Sequence, residues 1–171
     1  MKAISIWQPW AHLIAIGAKR FETRSWSTRY RGIVAIQAGK HWTQRISQQC
    51  YDEPFFSILS KAGTRFPAKL PSGPEVLGLC MGSIIAIADL VEVWPADELS
   101  PATGKAIGAH AIKLAVHERA FGDFSHGRFA WQCENVMRLP EPVLCRGQQG
   151  LFDLESDIID RIMGQISGRK S

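Results

Sequence analysis

A chain of 171 residues with 46% apolar content can bury one substantial core, and a single domain spanning 1–171 is expected. No apolar run approaches the ~20 residues that cross a bilayer, and the chain enters a strand-like pattern with no charged-then-apolar leader, so a soluble, cytoplasmic protein without membrane association is expected. The formal charge of +4 is unevenly placed: residues 19–45 hold seven basic residues against the single acid Glu22, leaving 13 basic and 15 acidic residues elsewhere.

In chain order, "KAISIW" alternates as a short strand. "PWAHLIAIG" follows as a short helix, with Pro9 at its first position, Gln8 on the cap side and Gly17 as its stop. Residues 20–26 alternate again, and "GIVAIQAG" (32–39) reads as a buried strand. Residues 44–62 suit a helix pair interrupted at Pro54. The proline-rich stretch 66–75 is an excursion loop, because "GSIIAIADLVEVW" after it is a long strand that needs sheet partners. Residues 109–120 look helical, and "GRFAWQCENVMRL" and "PVLCR" return to strands. In the tail, Leu154, Ile158, Ile159, Ile162, Met163 and Ile166 share one helical face that should dock on the body. Cys50, Cys80, Cys133 and Cys145 are scattered without a CxxC pair, which reads as reduced thiols.

The basic segment interleaves Trp26, Tyr30 and Trp42, with Trp7 and Trp10 just upstream. Cations beside flat rings suit polyanions and unpaired bases, although core tryptophans flanked by a solvated basic face give the same composition. Strand alternation puts Arg20, Glu22, Arg24 and Trp26 on one face, with Phe21 and Thr23 on the other, core-facing side. A carboxylate thus stands between guanidinium groups, with Lys19 at the turn from helix to strand. A surface ladder of alternating charge would look the same.

The arrangement "SIWQPWAHLIAIGAKRFETRSW…RG…IQAGK" resembles the ASCH (activating signal cointegrator homology) family, whose opening pattern is a strand, Q-P-W/Y-A, a short helix, G-x-K-x-x-E-x-R and a following R-G. "MGSIIAIADLVEVW" resembles the family's central strand, and "FGDFSHGRFAWQCENVMRLPEPVLCRGQQGLF" resembles its C-terminal region, so the likeness runs over about residues 3–153. It implies an α+β, PUA-like fold: a small, strongly bent mixed β-barrel with flanking helices and a cleft for RNA or nucleobases. Carried over residue by residue, the cleft positions are Gln8, Pro9, Trp10, Lys19, Glu22, Arg24 and Trp26, with Arg31 and Lys40 at the rim. The partners implied are single-stranded RNA, a nucleoside or a nucleotide, with no cofactor.

The residues suit that implication. Amide N–H groups at the start of the helix near Pro9 would suit a phosphate. Glu22 would accept hydrogen bonds from an amine and a ring N–H of a splayed base, Trp10 or Trp26 would stack on it, and Lys19 with Arg24 would hold phosphate or ribose. Two other readings stay open. Some relatives in the superfamily are amidohydrolases acting on acetylated cytidine, and others are proposed ribonucleases; Lys19 and Glu22 would then be catalytic. Glu22, however, stands where those amidohydrolases carry a threonine nucleophile, and Thr23 points to the other side. The third reading is a protein-interaction module. His110 and His117, seven apart on an expected helix, lack the companions of a metal site. His41 and His126 lie in loops near matched motifs, Trp131 is expected in the core, and Arg146 or Gln148 in "RGQQG" could line the cleft edge.

Overall fold

The computed structural model describes residues 1–99 and 116–167. Six strands, β1 (Lys2–Trp7), β2 (Phe21–Arg24), β3 (Gly32–Gly39), β4 (Ser83–Pro95), β5 (Phe129–Leu144) and β6 (Leu151–Asp153), form one mixed sheet in the order β2-β5-β4-β3-β1-β6. Only β1 and β3 are parallel; the other neighbours run antiparallel. Among the described residues four α-helices accompany them: α1 (Trp10–Ala15), α2 (Gln44–Gln49), α3 (Phe55–Lys61) and α4 (Ser156–Ser167). None of the described helices is long and apolar enough to cross a membrane.

The sheet curls because its two longest strands are kinked. Between β4 and β5 the register slips at Ile84/Ala86, Ile87/Asp89 and Leu90/Glu92, and each slip adds local bend and twist. Asn135, at φ 47°, lies along this stretch, and its amide donates to Asp89 at 2.9 Å. Asparagine tolerates the left-handed region that such a kink requires. The result is an α+β, PUA-like half-barrel.

Alternation sorts the apolar residues onto two faces. Ile4, Ile6, Val34, Ile36, Ala86, Ala88, Leu90 and Trp131 fill the concave side against Ala11 and Ile14 of α1. Ala3, Ala35, Ile84, Ile87, Leu139 and Val143 face the other way and receive α4 through Ile158, Ile159, Ile162 and Ile166. Met163, expected on that docked face, is exposed instead. A third cluster joins Leu13 of α1 to Phe55 and Leu59 of α3 and to Leu77, Leu79 and Phe121.

The expected strands at 127–139 and 142–146 are a single strand through Pro140 and Pro142. Beyond Gln132, β5 pairs with β4 alone, so missing donors on its outer edge break no ladder. There Gln165 of α4 stands in for a strand: its amide oxygen accepts from the Glu141 N–H and its amide nitrogen donates to the Glu141 carbonyl. Most of the helix expected over 109–120 lies outside the described residues; Val116–Phe121 is a 3₁₀ turn. All four cysteines are free, Cys50 and Cys133 buried and Cys80 exposed.

α1 is short because Gly17, at φ 75°, ends it after one and a half turns. It carries the buried His12, whose Nε2 has no partner. Burial, helped by the Arg138 charge, lowers its pKa from 6.5 to about 4. Between those values the unfolded chain binds the proton and the folded one does not. Stability is therefore full above about pH 6.5 and falls as the pH drops toward 4, by about 3 kcal/mol from this group. Urea melts at pH 7 and pH 4 should show that loss, and His12→Leu should flatten it.

Candidate functional site

β2 is the short edge strand that carries the expected site, and its entry is clamped from three sides. The Ala18 and Lys19 amides both donate to the Leu13 carbonyl that ends α1, at 2.9 and 3.0 Å, and the Cys133 amide donates to the Arg20 carbonyl at 2.8 Å. Glu118 supplies the third hold. Its fully buried carboxylate accepts from the amides of Arg20 and Phe21, the latter at 2.8 Å, and from Arg20 Nε at 3.2 Å. A carboxylate that receives two backbone N–H groups fixes the strand's register as a capping residue fixes a helix.

With β2 held, Lys19 turns inward. Its side chain is 0% exposed, and Nζ donates to the Phe21 carbonyl and, at 2.9 Å, to the Phe121 carbonyl, with Glu22 Oε2 at 3.4 Å. Three acceptors match the three N–H bonds of an ammonium group. Burial nevertheless lowers the Lys19 pKa from 10.5, opposed by the charges of Glu22 and Glu118. Glu22, 9% exposed, shares its other oxygen with Arg24, whose Nε lies 3.1 Å away. Arg24 Nη2 in turn donates to the Ser5 carbonyl of β1 at 2.7 Å. A chain of charges therefore runs from the interior outward: Lys19, Glu22, Arg24, then the backbone of β1.

Glu22 looks into a cleft of about 570 Å³ walled by Trp7, Trp10 and Trp26 and bounded by Arg24, Asp123 and Arg128, a volume in the range of small-molecule sites. Trp26 meets the buried Trp131 edge-on at 4.5 Å, and Trp131 Nε1 donates to the Trp26 carbonyl at 3.3 Å. Thr23, expected on the opposite face, also reaches this cleft. The 121–123 loop folds across the strand edge, and Thr23 Oγ1 accepts from the Asp123 amide at 3.0 Å. Asp123 pairs with Arg128 at 3.3 Å, and hydrogen bonds from Ser125 hold its carboxyl below the usual range. Glu22 is thus one of two acids on the cleft.

The other expected positions distribute differently. Trp10, Glu22, Arg24 and Trp26 line the cleft, and Lys19 lies beneath it. Gln8 and Pro9 are buried at the start of α1. Gln8 Oε1 accepts from the His12 amide at 3.0 Å, and its Nε2 donates to the Cys80 carbonyl at 2.7 Å. Gln8 therefore occupies a first-turn amide that was expected to meet an anion. Arg31 stands apart, paired with Glu92 and donating to the Thr28 and Tyr30 carbonyls at 2.9 Å. Lys40, Arg146 and Gln148 line a second groove of about 1150 Å³ that shares only Ser5 with the cleft. His126 pairs with Asp97 at 2.7 Å, away from the cleft, and His41 stacks on Trp7. His110 lies outside the described residues, among which no three metal-ligating side chains gather.

Four of the seven cations of the basic segment, Lys19, Arg20, Arg24 and Arg31, consequently face acids. Glu118 meets Arg20, Glu22 meets Lys19 and Arg24, and Glu92 meets Arg31. Counting charges along the chain could not see this, since Glu92 and Glu118 come from distant sequence. Sequence reasoning also left Glu118, Asp123 and Trp7 out of the site. Glu118 and Asp123 carry no local signal; Trp7 could have been found as the outward residue ending an alternating strand.

A family model described as the ASCH domain matches residues 4–118. Human "Activating signal cointegrator 1" is 38% identical over 72 residues, which are 41% of this chain and 12% of that protein. The crystal structure of ASCH from Zymomonas mobilis superposes with a TM-score of 0.51 at 14% identity, covering 95% of this chain and 93% of that one.

Proposed function

This chain belongs to the ASCH domain family, and from that premise we propose that its cleft binds one unpaired base of RNA, or a nucleoside, with Glu22 as the recognising group. ASCH domains are generally RNA-binding, and the finer reading rests on one observation. A carboxylate with little exposure, pinned between Lys19 and Arg24, looks into an open hollow walled by three indoles. Such a group accepts from an exocyclic amine and an adjacent ring N–H while a flat ring stacks alongside, at about 1–3 kcal/mol for the stack. Lys19 lies too deep to touch a phosphate, so its part is to hold Glu22 in place.

Titration with the four 5′-nucleoside monophosphates by calorimetry tests this. One or two of them should bind in preference, and Glu22→Gln should weaken the preferred one at least tenfold, because an amide replaces one acceptor with a donor. Equal binding of all four by both proteins would defeat the reading.

A second reading, a hydrolase of a modified nucleoside or a ribonuclease, is favoured by the amine of Lys19 having its pKa lowered by burial 3.4 Å from a carboxylate. Its burial and its two carbonyl partners favour binding without turnover. Product from acetylcytidine or an RNA oligomer, abolished in Lys19→Met, would replace the binding reading. Tight capture of a protein with no affinity for nucleotides would replace both.

A further inference from the structure

We propose that the ligand is a single-stranded RNA segment: one base fills the Glu22 cleft, its neighbour stacks on Trp7, and the connecting backbone runs into the groove that holds Lys40 and Arg146. This rests on the base-binding reading of the cleft and extends it to the polymer. Three observations carry it.

The first is continuity. Ser5 of β1 lines both hollows, so a strand leaving the cleft over β1 enters the groove directly. Trp7, two residues along on β1, lines the cleft, while its register partner Gly39 lines the groove. Trp7 Cδ1 lies so near Gly39 that a Cβ there would stand 3.3 Å from it.

The second is charge. The cleft's cations face acids, Arg24 with Glu22 and Arg128 with Asp123. The groove lining contains Lys40 and Arg146 and no acid, and neither cation has an ion-pair partner among the described residues. The Lys40 side chain runs over Gly82, where a Cβ would come within 2.6 Å of Cε. Two uncompensated cations in a trough suit a phosphodiester chain, which carries one charge per residue.

The third is the indole. Trp7 is 51% exposed, and the His41 ring supports it at 4.0 Å between centroids with a 34° tilt. A half-bare indole on the ridge between a base-sized hollow and a cationic trough is a platform for a second base.

The test compares ribonucleotide homohexamers with the matching 5′-monophosphates, by fluorescence anisotropy and calorimetry at 50 and 200 mM salt. The hexamer of the preferred base should bind at least tenfold tighter than its monophosphate. The double variant Lys40→Ala/Arg146→Ala should lose about tenfold or more for the hexamer at 50 mM salt, with the slope of log affinity on log salt reduced by roughly 1.4, about 0.7 for each phosphate no longer neutralised. Its monophosphate affinity should stay within twofold. Trp7→Ala should weaken the hexamer about tenfold, and thermal melts would confirm that both proteins fold. The inference is overturned if the hexamer binds no tighter than the monophosphate, or if the double variant leaves the hexamer unaffected. Either result alongside Glu22-dependent monophosphate binding would leave the cleft reading intact; loss of that binding as well would remove both.

Discussion

Replacing Glu118 with alanine is expected to lower the unfolding free energy by about 3–5 kcal/mol, the range for removing one partner of a buried charged cluster. The salt bridge to Arg20 contributes little of this, because that guanidinium is half exposed. The larger share comes from the Arg20 and Phe21 amides, which lose their acceptor inside the protein, and from Lys19, which loses one of the two carboxylates that offset its burial. Glu118→Gln keeps a carbonyl-type oxygen for the two amides and should fall between wild type and alanine. Guanidinium denaturation of the three proteins gives the order directly. A loss below about 1 kcal/mol for alanine would mean that the pairing with β5 and the hold on the Leu13 carbonyl keep β2 in place without Glu118.

The second large effect is expected at Lys19. Lys19→Met matches the side chain's length but leaves the largely buried Glu22 with Arg24 as its remaining charge partner, and it leaves the Phe21 and Phe121 carbonyls without that donor. About 3–5 kcal/mol should be lost. Glu22→Gln should cost less, since Glu22 keeps an outlet to the cleft. In the double variant the neutral amide no longer needs the ammonium, so the combined loss should fall short of the sum by about 1–3 kcal/mol. Additive losses in that cycle would show that the two groups act independently, and that Lys19 fills space without positioning Glu22.

The elements were legible where a local rule governs them. Period-two apolar residues marked β1, β3 and β4, Gly17 marked the end of α1, and Pro54 marked the break between α2 and α3. The cleft was legible in part, because Glu22, Arg24 and Trp26 are near neighbours whose common wall follows from the pleat. What alternation could not give is depth. Lys19 and Gln8 look like ligand-facing polar residues in sequence, yet both serve the chain's own carbonyls and amides, and only the tertiary fold decides that. Glu118, 98 residues beyond Arg20, and Glu92, 61 beyond Arg31, reach their partners through topology. Pro140 and Pro142 misled for the opposite reason: a local break signal is silent on an unpaired strand edge.

The rim of the half-barrel is closed by a latch. β1 and β2 have three strands between them in the sheet order, and they meet through the Arg24 guanidinium on the Ser5 carbonyl. A side-chain latch of this kind gives way at roughly 1.5–3 kcal/mol, without unzipping any interstrand ladder. The mouth of the barrel can therefore widen on the loss of that one contact while the scaffold behind it keeps its shape.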